Sequence, residues 1–494
     1  MRLFLLFSLF LTVFSPSVFS QDTVLLNLRE VVQLAQSDAP DVLLSQTRLS
    51  NNYWRYQSFL ADYRPQIDFN LNSDFNRSVE GITQPDGGIN FASRSLMTNF
   101  SGLGLRQDVA ATGGQIFART GLQRLDIFAT DINQGVTSYL FSPFTIEFSQ
   151  PLFTFNNLKW QQRVQPLVYQ ESRLAYSEDM EGIAFESASL FFNVLSAQLN
   201  TEATFREKAN ADTLYNLSKG RFEVGRIAET ELLQLELSAM RADANLAQAL
   251  LDLQTANEAL RNFLGITRPV LFRLIPPDNL PDVVIDPDLA LSSALNYRSK
   301  AVEFQRRLMQ AQLDVARAKG EAGPNVNLRG TFGLQQTTGE LNMLFNDLID
   351  QERVVLGLSM PIADWGKRRS QLEIARSRQD LERMNVQQER VNFEQEILLK
   401  VRQFDLVRNQ VNLSAKTWEV AQKRHDITRQ RYLIGKIGIT ELNIALNEQE
   451  AARRAYVSAL QNFWLAYYEL RRLTLYDFEN DRPLIRSIDE QQFY

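Results

Sequence analysis

Cysteine is absent from this chain of 494 residues, and histidine occurs once, as His425. The lack of thiols excludes disulfides, Cys-ligated metals and an N-terminal Cys that could carry lipid. The sequence also has no nucleophile elbow and no phosphate-cradling loop, and His425 stands alone between Arg424 and Asp426. We therefore expect no metal, no cofactor and no enzymatic activity.

Dense basic tracts are absent too. The chain carries 52 Lys and Arg against 58 Asp and Glu, for a formal net charge of -6. Because nucleic acid binding requires a basic face, we expect no nucleic acid partner.

Long apolar runs are also lacking. Arg2 precedes an apolar run of only 11 residues, Leu3 to Val13, which Pro16 and Ser20 follow. A helix that spans a bilayer needs roughly 20 apolar residues. Residues 1–20 therefore predict a cleaved secretory signal, so the mature chain would leave the cytoplasm.

Glycine and proline are missing from one long tract between Gly366 and Gly435. Within it an apolar residue recurs every seventh position, at Ile397, Phe404, Val411 and Trp418. This spacing predicts a long helix with a coiled-coil seam. The matching tract of the first half, Asn157 to Val224, contains Pro166, which predicts either a kink or a helix start inside the tract.

A twelve-residue stretch occurs twice. "RFEVGRIAETEL", Arg221 to Leu232, returns as "RYLIGKIGITEL", Arg431 to Leu442, with six identical positions at an offset of 210 residues. The central glycines, Gly225 and Gly435, indicate a tight turn between antiparallel helices. Thr230 and Thr440 stand just before the new apolar periodicity.

The same offset relates the stretches before the long helices. Pro151 aligns with Pro361 and Phe155 with Trp365. A period this long is far beyond that of solenoid repeats, so it indicates the duplication of one large unit. We place the first repeat at 21–264, a connection at 265–286, the second repeat at 287–473 and a tail at 474–494.

Each repeat contains alternating apolar and polar residues that predict β-strands, within 65–151 and 324–361. Too little other material lies beside these strands to cover their apolar face, which lipid would cover. Four strands cannot enclose a lumen, so several chains would share one membrane barrel. The aromatic residues Phe155 and Trp365 at the junction fit an interfacial girdle or, equally, the packing of helix starts.

The two strand regions differ in length. The first is about 50 residues longer, and Thr112-Gly113-Gly114 joins two further alternating runs within it. We expect an extra hairpin within 90–130, either outside the cell or in the barrel wall. Helices are expected over 28–63, 229–264, 287–319 and 439–473.

In its paired hairpins, its "SQPLF" and "SMPIADWGKRR" junctions and its twin turns, the chain resembles the TolC family of bacterial outer-membrane efflux proteins. The resemblance implies a homotrimer with four strands per chain in an outer-membrane β-barrel, joined to an α-helical tunnel in the periplasm. It also implies a periplasmic adaptor protein and an inner-membrane transporter as partners in efflux or type I secretion.

The resemblance assigns roles to the repeated turns. In that family such turns are the inner tips where adaptor hairpins dock, so the docking candidates are Val224, Gly225, Arg226, Ile434, Gly435 and Lys436. Glu231 and Glu441 occupy equivalent places behind the tips and are candidates for an acidic entrance gate, although Ile444 stands where a second family aspartate is found.

Two other functional classes remain possible on the sequence. A structural periplasmic coiled-coil protein, such as an adaptor, fits the long helices but leaves the amphipathic strands unexplained. A passive porin fits the strands but needs no long helices.

Overall fold

The computed structural model describes residues 22–83, 87–129, 134–277, 280–360, 362–434, 436–437 and 439–486. The predicted signal at 1–20, together with Pro361 and Gly435, lies outside these ranges. The helices are α1 Leu28–Asp38, α2 Pro40–Ala61, α3 Asn157–Glu223, α4 Glu229–Phe263, α5 Pro287–Tyr297, α6 Ser299–Ala322, α7 Lys367–Leu433 and α8 Ile439–Thr474. The strands are β1 Asp22–Leu26, β2 Gln66–Thr83, β3 Ile89–Val109, β4 Gly114–Ile127, β5 Val136–Leu152, β6 Val270–Leu274, β7 Asn325–Thr338, β8 Ile349–Ser359, β9 Tyr476–Asp477 and β10 Arg482–Pro483.

The chain divides into two compact units. The first unit comprises Met1–Gln46, Ser177–Ser293 and Ile397–Leu484, and the second comprises Thr47–Tyr176, Ala294–Glu396 and Ile485–Tyr494. Both units are assembled from segments far apart in sequence. Helices α3 and α7 each contribute residues to both units.

The first unit is built around aromatic residues of its helices. Phe404 of α7 and Phe463 of α8 are fully buried, with ring centroids 5.2 Å apart. Of the predicted seam, Ile397, Phe404 and Val411 are buried, and Trp418 stacks on Tyr456. The seven-residue spacing therefore predicted the packed face of α7 correctly, as expected for a coiled-coil seam.

A short parallel pair of strands, β1 and β6, also belongs to the first unit. On β6, the backbone N–H of Phe272 donates to Asn257 Oδ1 at 3.0 Å, and that of Leu274 donates to Gln198 Oε1 at 3.0 Å. These helix side chains satisfy buried backbone groups that would otherwise lack partners. The predicted connection 265–286 thus contains a strand.

The second unit contains a six-stranded antiparallel sheet in the order β2-β3-β4-β5-β7-β8. The predicted extra hairpin is present as β3 and β4, and it lies inside the sheet between β2 and β5. The sheet therefore exceeds the four strands that the family resemblance implies. Alternation of apolar and polar residues predicted each strand, but their order depends on pairing between distant segments.

Two helices that were predicted to be continuous are each broken once. The segment 28–63 forms α1 and α2 because Ala39 is extended, with φ -61° and ψ 141°, before Pro40. A proline disfavours helical geometry in the preceding residue. The segment 287–319 is interrupted in the same place by Arg298, at φ -79° and ψ 143°, without any proline. The break therefore belongs to the duplicated unit and not to Pro40 alone.

The two long helices have equal lengths. Helices α3 and α7 each contain 67 residues, and Pro166 lies inside α3. The alternative that Pro166 starts the helix is wrong, since α3 already begins at Asn157.

No helix in the described ranges combines the length and apolar content needed to cross a membrane.

Candidate functional site

The turn that ends α3 and the turn that ends α7, here called the first and second tips, are closed by equivalent backbone hydrogen bonds. In the first tip, the N–H of Arg226 donates to the carbonyl of Arg221 at 2.9 Å. In the second, the N–H of Lys436 donates to the carbonyl of Arg431, also at 2.9 Å. A hydrogen bond from the N–H of one residue to the carbonyl five positions earlier closes a helix end when the residue before the donor is left-handed. In the first tip that residue is Gly225, with φ +70°.

The tips also expose the same types of side chain. Val224 is 69% exposed and Ile434 is 66% exposed, and the adjoining Arg226 and Lys436 are exposed as well. An apolar side chain next to a cation at each tip provides a small surface on which a partner could dock. The turn prediction was correct, but Thr230 lies inside α4, whose N-cap is Ala228 without a side-chain hydrogen bond.

A groove lies beside the second tip and contains the gate candidate Glu441. Its other lining residues come from α7, from the second tip and from the start of α8, and they are Val420, Lys423, Arg424, Ile427, Thr428, Arg431, Ile437 and Ile444. The groove therefore places one carboxylate among three cations, with apolar side chains between them.

Two of those cations have other acidic partners. Arg424 pairs with Glu448, and Lys423 lies 2.7 Å from Glu419. Hydrogen bonds from Lys416 and Lys423 lower the pKa of Glu419 to about 2. In the described part of the chain Glu441 and Arg431 form no ion pair. Glu231, the equivalent of Glu441, belongs to the first turns of α4.

The junction between strands and helices is the second candidate region. Pro151 lies on β5 opposite Asn327. The Phe155 ring is half-buried, with the Arg317 guanidinium 5.4 Å from its centroid. Trp365, its repeat equivalent, is 98% exposed and has φ 53°. The repeat position is shared, but only Phe155 is packed within the chain.

Sequence reasoning missed the residues that start the long helices. Asn156 Oδ1 accepts from the N–H of Lys159 at 3.0 Å, and Asp364 Oδ2 accepts from the N–H of Arg368 at 3.2 Å. Asn and Asp are preferred at helix N-termini, so their position just before a tract rich in helix formers was the available signal.

Among the described residues, no group of three or more His, Asp or Glu is arranged to hold a metal.

Comparison with known proteins connects these features to one family. The model of the family described as outer membrane efflux protein matches residues 128–266 and 290–474. Outer membrane protein TolC of Escherichia coli (strain K12) is 26% identical over 270 residues, which cover 50% of this chain and 51% of TolC. The matched region thus spans about half the length of that relative.

Solved structures share the fold over nearly the whole chain. The Campylobacter jejuni CmeC outer membrane channel has a TM-score of 0.64 at 16% identity, covering 90% of this chain and 85% of CmeC. A membrane protein from Pseudomonas aeruginosa has a TM-score of 0.65 at 17% identity, covering 93% and 92%. These likenesses confirm the predicted fold class, a duplicated chain of long helices with a β-sheet.

Proposed function

We propose that this chain, which belongs to the outer membrane efflux protein family, is the outer-membrane duct of a multi-part exporter. The protein is located in the outer membrane with its helices in the periplasm, as the sequence predicted, and the family assignment agrees with the expected absence of enzymatic activity. Three copies form one barrel and one helical tunnel. A periplasmic adaptor opens the tunnel, and an inner-membrane transporter supplies the free energy.

The sheet carries this proposal. Apolar residues of its edge strands lie on one side near the helices, and β2 and β8 each have a strand neighbour on only one side within the described residues. Ile67 and Phe69 of β2 and Leu356 and Leu358 of β8 are largely exposed. Lipid accounts for the apolar face, and pairing of β8 with β2 of another copy satisfies the backbone groups of both edges, which cannot stay unpaired in hydrocarbon.

The similarity of the two tips supports docking of an adaptor at both. Two tips per chain in a trimer give a ring of six similar docking points, each with an apolar residue beside a cation. The docking residues are Val224, Gly225 and Arg226 on the first tip and Ile434, Gly435 and Lys436 on the second. The carboxylates of Glu231 and Glu441 form an acidic entrance that favours cations by its field.

The first experiment tests the duct itself. The mature protein is purified in mild detergent and crosslinked, and the molecular mass of the crosslinked species is measured. Its conductance in a planar bilayer is then recorded. A trimer with low, fluctuating conductance is expected, because the inner end is closed until an adaptor binds. A water-soluble monomer or dimer without conductance would refute the duct and favour a structural coiled-coil protein.

A second experiment tests docking at the tips. The double variant Val224→Asp with Ile434→Asp places a charge on both exposed apolar side chains, while Val224→Thr with Ile434→Thr changes polarity with less disturbance. We expect the Asp variant to lose most export and adaptor crosslinking while its trimers remain in the membrane, and the Thr variant to keep more of both. Full export by the Asp variant would contradict docking at these residues.

A further inference from the structure

The extra hairpin is an integral part of the sheet. Strand β2 pairs with β3 from Gln66 opposite Arg106 to Thr83 opposite Ile89, and β3 pairs with β4 as far as Val109 opposite Gly114. Strand β4 in turn pairs with β5. The hairpin therefore separates β2 from β5, instead of lying over the sheet or outside it.

Near the helical end of the sheet, apolar residues of the inserted strands lie on the same side as apolar residues of the neighbouring strands. In one row across the sheet, directly opposed residues are apolar on five strands and acidic on β8, and they are Ile67, Leu105, Ala118, Ile146, Phe332 and Glu352. The adjacent row, on the other face, consists of Gln66, Arg106, Phe117, Glu147, Thr331 and Arg353. At this end of the sheet β3 and β4 thus share the apolar side of their neighbours, as a barrel wall requires, although further from the helices that side carries Asn99 and Arg124.

The inner turn of the hairpin is fixed at the level where the strands meet the helices. Asn156, at the start of α3, donates from Nδ2 to the carbonyl of Ala110 at 2.8 Å. Gln150 donates from Nε2 to the carbonyl of Thr112 at 3.0 Å. Gly113 has φ +75°, and a Cβ there would stand 3.1 Å from Asn156 Cγ. The inner end of the hairpin thus lies at the level of the junction between β5 and α3.

From these observations we infer that the outer-membrane barrel of this protein has 18 strands, six from each of three copies. The inference rests on the proposed trimer. Strand β2 leaves α2 and β8 runs back towards α7, so β8 of one copy lies antiparallel to β2 of the next, with the apolar sides aligned. The chain thereby supplies two strands more than the family resemblance implies.

The additional strands widen the pore. With strands about 4.8 Å apart and tilted by about 40°, 18 strands enclose a backbone cylinder about 36 Å across, against about 24 Å for 12 strands. After side chains are allowed for, the open cross-section is roughly three times larger. An opening of this size suits bulky hydrated cargo, such as polymers or secreted polypeptides, rather than only small solutes.

Electron cryomicroscopy of the full-length protein in lipid nanodiscs tests the inference by counting strands around the barrel. We expect a closed trimeric barrel of 18 strands. A closed trimeric barrel of 12 strands would overturn the inference and leave the proposed duct intact. Particles without a shared barrel would overturn both.

Engineered disulfides provide a second readout, because the chain contains no other thiol. Ile67→Cys with Leu105→Cys joins β2 to β3, and Ala118→Cys with Ile146→Cys joins β4 to β5, at directly opposed positions. Both pairs are expected to oxidise within one chain in the outer membrane. The control pair, Ile67→Cys with Ile146→Cys, is expected to stay reduced, and its efficient oxidation would place β2 against β5 and contradict the wide barrel.

Discussion

Arg471 of α8 binds Glu181 of α3, with Nε 3.0 Å from Oε2, although 290 residues separate them in the chain. The Glu181 side chain is 2% exposed, and Arg471 also lies 3.4 Å from Asp477. Burial opposes ionisation of Asp477, but a hydrogen bond from Asn480 and the charge of Arg471 lower its pKa below the usual range. This cluster connects both long repeats within the first unit.

Removing one partner of this cluster should be costly. We expect Arg471→Met to lower the free energy of unfolding by about 3 to 5 kcal/mol, because the Glu181 carboxylate remains buried without its cation. Adding Glu181→Leu should recover much of that loss. The control Arg376→Met, which breaks an exposed pair with Glu373, should change it by about 0.5 kcal/mol or less. Unfolding followed by the helical circular dichroism signal measures all three, and a loss under about 1 kcal/mol for Arg471→Met would contradict the role of the buried pair.

Two glycines five positions apart should respond to alanine in opposite directions. Gly225 has φ +70°, so Gly225→Ala strains the first tip by about 1 kcal/mol. Gly220 lies within α3 with no atom near its Cβ position, so Gly220→Ala should stabilise the helix by about 0.5 to 1 kcal/mol. Amide hydrogen exchange at the tip reports both changes. Equal protection in the two variants would argue against a strained turn.

The junction offers a similar matched pair. A Cβ on Gly320 would stand 2.7 Å from the backbone nitrogen of Phe155, whereas one on Gly323 would meet nothing closer than the Gly320 carbonyl oxygen at 3.6 Å. We expect Gly320→Ala to displace Phe155 and lower the temperature at which detergent-solubilised trimers dissociate. Gly323→Ala should leave that temperature unchanged, and equal effects of both variants would refute the close packing of α6 against Phe155.

The second unit contains a half-exposed ion network that should respond to acid. Hydrogen bonds from Arg307 and Lys300 lower the pKa of Glu389 from 4.5 to about 2. Arg307 Nη1 lies 2.8 Å from Glu389, and Arg307 Nε lies 2.6 Å from Glu382. Because the folded-state pKa is lowered, the stabilisation by ionised Glu389 is present above about pH 4.5 and is lost as the pH falls towards 2.

The variant Glu389→Gln tests this response. It should melt at a lower temperature than the wild type at pH 7, by the equivalent of about 1 kcal/mol or less, since the pair is partly exposed to solvent. The difference should shrink steadily between pH 4.5 and about 2 in thermal melts of the helical signal. A difference that does not depend on pH would show that Glu389 acts through packing and not through its charge.

Local patterns in the sequence explain which features could be predicted. The seven-residue spacing from Ile397 to Val411 marks a helix face, and Gly225 marks a helix end, because both signals arise from neighbours along the chain. The extra hairpin was visible from its alternating runs around Thr112. By contrast, the break at Arg298 carries no proline and became visible only as the counterpart of the break at Ala39.

By itself, the sequence determined the long helices, the paired tips and the duplication of one architectural unit, since periodicity, glycine geometry and a repeated pattern are local properties. Only the tertiary structure decided the position of β3 and β4 between β2 and β5, the support of β6 by Gln198 and Asn257, and the partnership of Arg471 with Glu181. Each of these depends on contacts between residues far apart in the chain. Alternation along a strand specifies its two faces, but it does not specify the strand's neighbours.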